Sequence, residues 1–224
     1  MKMKDFYNHI VGKKILMACT GSFLVLFIIV HLLGNSSIYI GPDGINAYTK
    51  QLHSMPALVW LFRLVMLALF TLHVFIGIQL YVQNSASKPV KYSVKKSLKA
   101  TFSSKNMIWT GLLIAAFLTY HLLHFTFRVA SAESLGIDAL GRPDVYSMVL
   151  TGLEETPAAI IYIIGLFALF LHILHGVQSL FQSTGLNCEK IQPCIIKASR
   201  TAAVVIFIAY LAIPLVIFAG ILRF

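Results

Sequence analysis

The chain has 224 residues, of which 58% are hydrophobic and 12% charged, with a formal net charge of +10. That balance excludes a disordered chain and is too apolar for an ordinary soluble domain. The positive charge would suit nucleic acid, but the basic residues cluster beside long apolar runs, where the positive-inside bias of membrane proteins accounts for them. The composition therefore reads as an all-α, polytopic membrane protein, a single transmembrane domain over residues 1–224.

Five apolar runs reach the ~20 residues a bilayer crossing needs. They lie at about 15–34, 58–83, 107–130, 157–183 and 200–222. The first follows Lys2, Lys4, Lys13 and Lys14, as a signal peptide would. It is nevertheless of spanning length and ends in His-Leu-Leu-Gly-Asn with no small-residue cleavage site, so it reads as a retained helix. Between the first two spans, Gly41-Pro42-Asp43-Gly44 carries turn chemistry. A short interfacial helix is expected from Ile45 to Ser54, stopped before Pro56. The segment between spans three and four is long enough to expect structure or function in it. Pro157 suits a first helical turn, and Pro214 should kink the fifth span. Lysines crowd the N-terminus and the connections after spans two and four, whereas the other two connections hold only Lys50 and Arg142. The charge rule puts the N-terminus inside and the C-terminus outside. Cys188 and Cys194 then lie on the inner side, where a disulfide is not expected.

Eight histidines occur, and most lie at membrane depth, where an ionisable side chain marks a functional site by default. At ~1.5 Å per residue, His31 lies ~9 Å outward of its helix centre and His121 ~4 Å outward. His73 lies ~4 Å inward and His175 ~8 Å inward, with His172 nearer the middle. Two layers result: His31 with His121 or His124, and His73 with His172 or His175. Two imidazoles facing each other from separate helices are what a bis-histidine haem requires, the apolar bundle supplying the rest of the pocket. Two layers imply two haems and a route for electrons across the membrane. A lone histidine in an apolar span more often serves packing or helix–helix hydrogen bonding; four in two matched layers argue against that for the set. A carboxylate-rich di-iron site has no support, because Asp and Glu occur only at the ends of the spans.

A haem also needs room. Gly21, Gly111 and Gly165 each stand ten residues before His31, His121 and His175, at the depth of the opposite layer. That spacing favours His121 and His175 as ligands over His124 and His172, which are then left for hydrogen bonding or for a haem propionate. Gly77 and Gly176 also allow close approach. Arg63 and Arg128, on the cation-poor outer side, are candidate partners for propionates.

These stretches resemble a known family. KKILMACTGSFLVLFIIVHLLGN, GPDGINAYTKQLHSMP, LHVFIGIQLY, YHLLHF and HILHGVQSLFQSTG are similar to the dihaem cytochrome b anchor of succinate dehydrogenases and fumarate reductases, the five-helix single-chain type. The resemblance covers nearly the whole chain. It implies His31 and His121 as axial ligands of one haem b and His73 and His175 as those of a second, all four on haem iron. It implies a flavoprotein and an iron–sulfur subunit on the inner side and menaquinone as the membrane redox partner; a higher oligomer of the complex is compatible with the sequence, which leaves the oligomeric state open. It also implies a bacterial inner membrane. Some relatives that oxidise menaquinol carry a glutamate two residues before the fourth-helix ligand; here that position is Ile173. For the quinone, His53, Asn35, Tyr39 and Gln51 are outer candidates, and Gln79, Gln178, Ser179 and Gln182 inner ones. The alternatives are the dihaem anchor of another quinone-linked oxidoreductase, or a haem-free transporter or structural anchor.

Overall fold

The computed structural model describes residues 9–87, 101–130, 135–186 and 188–223. All five apolar runs are helices long and apolar enough to cross a membrane. The first, α1 (Ile10–Asn35), begins five residues earlier than the hydropathy suggested and continues into a 3-10 turn at Ser36–Ile40. Gly41, at φ 87°, breaks the run, and Pro42 then opens α2 (Pro42–His53). The expected interfacial helix therefore exists but starts at Pro42, because proline suits the first turn and Asp43 complements the helix N-terminus. Gly44 is required inside it: a Cβ there would run into the Ser37 carbonyl oxygen. Met55 separates α2 from α3 (Pro56–Ala86), which at 31 residues is ~46 Å long and exceeds the ~30 Å hydrocarbon thickness.

Thr101 caps the single turn α4 (Phe102–Lys105) by accepting from the Ser104 amide. The third span is shorter than expected. Regular helix α5 (Met107–His121) widens into a π turn at Leu122–Thr126 and stops. Arg128 then takes a left-handed φ of 56°, and the Val129 and Ala130 amides close back on the Leu123 carbonyl. That closure satisfies the last carbonyls but places a non-glycine where glycine is usual. The following segment carries α6 (Val145–Glu154), capped by Asp144, which accepts from the Ser147 amide. Then come α7 (Thr156–Ser183) and α8 (Gln192–Phe218), each with proline in its first turn. Pro193 lets α8 start well before residue 200, and Pro214 lies buried inside it.

Packing is antiparallel between successive spans. Met17 meets Gly77, Gly21 meets His73 and Phe27 meets Phe62 along α1 and α3. Gly111 meets His172 and His121 meets Tyr162 along α5 and α7. Helix α7 is the hub, contacting α1, α5, α6 and α8. One end of the bundle, called here the near end, is where α1 starts. The far end holds the short helices α2 and α6 and the main apolar core, with Ile38, Ile45, Tyr146, Leu150, Tyr162 and Ile217. Helix α3 leans on α1 and has only Ile76 fully buried among its described side chains. Leu58, Trp60, Leu61, Leu64 and Leu67 on it face outward, as lipid-facing residues do when every backbone group is satisfied within the helix.

The far end is fastened by Asn46, which has no exposed surface. Its amide nitrogen donates to Asp138 (3.2 Å) and Asp144 (3.1 Å), and its oxygen accepts from the Tyr146 amide (2.9 Å). Arg142 pairs with Asp138 at 2.6 Å and with Asp43 at 2.7 Å. Two connections distant in sequence are thus joined through polar groups that the charge rule counted only by sign. The lysines at 2, 4 and 88–99, which carried much of that rule, lie outside the described residues.

Candidate functional site

Each of four helices contributes one histidine to a facing pair. Toward the near end, His73 of α3 faces His172 of α7, ring centres 6.3 Å apart and planes at 65°. Toward the far end, His31 of α1 faces His121 of α5, ring centres 6.0 Å apart and planes at 86°. The spacing of the layers follows from the helices themselves. His73 sits against Gly21, and His31 is ten residues further along α1. His172 sits against Gly111, and His121 is ten residues further along α5. Both helices therefore give a separation of ~15 Å along the axis.

The near-end rings are held in matching cradles. Thr20 Oγ1 lies 3.0 Å from His73 Nδ1, and a Cβ on Gly21 would come within 3.2 Å of His73 Cε1. Thr110 Oγ1 lies 3.1 Å from His172 Nδ1, and a Cβ on Gly111 would come within 3.4 Å of His172 Cε1. A threonine–glycine step on one helix thus receives the histidine of its neighbour, the hydroxyl fixing the ring, and at Gly21 the missing side chain also lets it approach. Sequence reasoning found the glycines but not the threonines. The signal was present, because Thr-Gly recurs at 20–21 and 110–111, each time ten residues before a histidine.

At the far end His121 Nδ1 lies 3.0 Å from the Tyr162 hydroxyl, and His124 Nδ1 lies 3.3 Å from the same oxygen. His31 stacks on Phe27 at 5.3 Å, with Tyr210 of α8 beside it at 6.4 Å. Tyr210 donates to the Ile28 carbonyl (2.7 Å) and so ties α8 to α1 at this depth. Tyr162 and Tyr210 were invisible to a search for histidines, cations and glycines.

Several expected residues are placed differently. The structure pairs His73 with His172, not with His175. His172 is the residue that meets the Thr110–Gly111 step, and His175 lies one turn beyond it, with no hydrogen bond or ring contact among the described residues. The space beside Gly21 and Gly111 holds histidine rings, and the space beside Gly165 holds the ring of Phe117. Arg63 is exposed and stacks on Trp60 at 5.2 Å, and Arg128 is exposed beyond the end of α5. Neither is brought to a histidine pair. Asn35 donates to the His31 carbonyl (2.8 Å). Ile173 is buried with Ala203 and Ile206 between α7 and α8.

The pairs fit an iron between them. Metal–imidazole bonds of about 2 Å on either side of an iron leave the two ring centres about 6 Å apart. Ring planes at steep angles are compatible, since each ring turns about its own metal–nitrogen axis. In His73, His172 and His121 the hydrogen bond is at Nδ1, which leaves Nε2 for a metal, as second-shell partners commonly do. Gly176 lies four residues after His172, on the same helix face, and a Cβ there would meet nothing within 4 Å. That is room for a flat group beside the near pair. Among the described residues no three His, Cys, Asp or Glu side chains converge. Each pair offers two donors, the number needed by an iron that a macrocycle already holds.

A family model described as the succinate dehydrogenase/fumarate reductase transmembrane subunit matches residues 83–216. That span runs from the last turn of α3 through most of α8. No curated protein and no solved structure matches the chain. With more than half its length covered by that model, and with five helices fit to cross a membrane, the chain belongs to the succinate dehydrogenase/fumarate reductase transmembrane subunit family.

Proposed function

We propose that this membrane subunit is a dihaem cytochrome b that carries electrons between a membrane quinone and the iron–sulfur subunit of its complex. His31 and His121 hold the far haem, and His73 and His172 the near one. The single observation that carries the reading is the pair of crossed histidine couples, one residue per helix, at iron-compatible separation and ~15 Å apart along the bundle. Bound haem supplies one-electron transfer, and the protein supplies ligands, distance and electrostatics. The chain's own part is to hold four imidazoles rigidly in an apolar bundle that keeps water away. By the charge rule the near end faces the cytoplasm, where a flavoprotein and an iron–sulfur subunit dock. The membrane is then a bacterial cytoplasmic membrane, and the quinone is menaquinone, by likeness to the dihaem type. Succinate and fumarate chemistry belongs to those partner subunits. With His172 as the ligand, the position two residues before it is Phe170, which like Ile173 offers no proton carrier.

The test is a reduced-minus-oxidised spectrum of the purified chain with haem counted per polypeptide. Two b haems are expected. His31→Leu or His121→Leu should remove one, and His73→Leu or His172→Leu the other, whereas His175→Leu should keep both. Absence of haem, or haem that survives loss of all four ligands, overturns the reading. Loss of the near haem in His175→Leu, with retention in His172→Leu, would restore the ligand expected from glycine spacing.

A further inference from the structure

The two histidine layers differ in what receives the Nδ1 proton. A hydroxyl has one proton to donate and can accept as well. Thr20 Oγ1 lies 2.9 Å from the Leu16 carbonyl oxygen and 3.2 Å from that of Met17. Carbonyls only accept, so the Thr20 proton points at the helix backbone and its oxygen accepts from His73 Nδ1–H. Thr110 does the same, 3.1 Å from the carbonyl oxygens of both Asn106 and Met107. A neutral imidazole with its proton on Nδ1 presents a bare lone pair at Nε2. Each threonine thus fixes the tautomer that a metal requires, and its acceptance ends there.

Tyr162 has no such backbone outlet. Among the described residues its hydroxyl has two hydrogen-bond partners, His121 at 3.0 Å and His124 at 3.3 Å. With His121 donating from Nδ1, the single Tyr162 proton goes to His124 Nδ1. His124 is only 2% exposed and stacks on Phe125 at 4.2 Å. Gly152 of α6 closes over it, since a Cβ there would lie 3.1 Å from His124 Nε2. His124 also sits in the π turn, a helix irregularity that recurs at functional sites.

We propose that Tyr162 is a positioning residue for His121 and that His124 is the acceptor that orients Tyr162, so the far pair carries a two-link side-chain hydrogen-bond chain where each near ligand meets a threonine hydroxyl that donates to its own helix backbone. The proposal rests on the dihaem reading above. A phenol that gives its own proton to a neighbour is a better acceptor for the next donor. The chain therefore makes His121 the more basic ligand, which favours oxidised iron and lowers the potential of the far haem.

The experiment is potentiometry of both haems, followed by absorption and low-spin electron resonance, on full-length chain in its complex. Tyr162→Phe should raise the far-haem potential and leave the near haem unmoved. His124→Leu, which keeps Tyr162, should shift the same haem in the same direction. His124→Gln keeps an acceptor and should restore the wild-type value. Loss of the far haem alone in Tyr162→Phe, with the His124→Leu shift intact, supports the same assignment. A far haem with unchanged potential and signature in both Tyr162→Phe and His124→Leu, or equal shifts in both haems, overturns it. Failure of the underlying reading looks different, because the wild-type chain would then lack two haems bound through His31, His121, His73 and His172.

Discussion

Gly165→Ala tests whether close approach of α5 and α7 is built into the sequence. In an exposed helix this substitution gains about 1 kcal/mol from propensity. Here the added Cβ would fall against the Phe117 ring, with Cδ1 at 2.7 Å and two further ring atoms closer still. Ordinary carbon contacts begin near 3.5 Å, so either the ring or the helix must move by roughly 1 Å. Phe117 has nowhere easy to go. It meets Tyr162 edge-on at 5.3 Å and lies 6.2 Å from His121. Overpacking of this kind costs about 1–3 kcal/mol, so the net effect is a loss of up to about 2 kcal/mol after the propensity gain. The matched control is Gly111→Ala, whose Cβ would approach His172 no closer than 3.4 Å. The assay is denaturant unfolding in mild detergent, with the spectrum of the haem proposed at His31 and His121 as a local reporter. Gly165→Ala should unfold earlier and disturb the far haem first, whereas Gly111→Ala should be neutral or slightly stabilised. A Gly165→Ala protein more stable than wild type would show that the α5–α7 contact yields freely, and would refute the reasoning.

Three more outcomes follow from the far end. Asn46→Ala should destabilise the protein by about 2 kcal/mol, because the Tyr146 amide loses its acceptor and Asp144 a donor; a melting curve equal to wild type would deny Asn46 its fastening role. Arg128→Gly should stabilise by about 1 kcal/mol, since φ 56° is a left-handed position that glycine adopts without strain; chemical denaturation reads it, and a loss of stability would count against it. The third concerns pH. Burial pushes the Asp138 carboxyl up, but the Arg142 amide and guanidinium, Asn46 and the Leu140 amide together hold it down, from 3.8 to about 2. Its folded value is depressed, so its contribution is present above pH 3.8 and is lost as pH falls toward 2. Limited proteolysis of residues 135–144 should therefore stay slow down to pH 4 and accelerate below it. Acceleration already at pH 6 would point to another group.

Much of the architecture was legible in the sequence because a bilayer demands long, nearly charge-free helices, and composition records that demand directly. The five runs, the helix after Gly41 and the structured segment after α5 all follow from local rules of hydropathy, proline and turn chemistry. Helix ends were less legible. The π turn at Leu122–Thr126 and the left-handed Arg128 depend on how carbonyls are satisfied at the far end, which no periodicity reports. The histidine layers were readable as depths, because rise per residue converts position to height.

What depth alone could not decide was rotation. His172 and His175 are three residues apart and differ in height by only ~4.5 Å, less than the error of any helix boundary read from hydropathy. The choice between them is made by which side of α7 faces the Thr110–Gly111 step, and that is a property of two helices packed together. The same holds for Tyr162 and His124, which become partners only when α7 is laid against α5, and for Asn46, whose acceptors lie about a hundred residues away in sequence. The sequence by itself determined the helices, their order and the heights of their polar groups. Tertiary packing decided which groups at one height face each other, because helix rotation is set by the fit of glycine gaps and side chains on neighbouring helices.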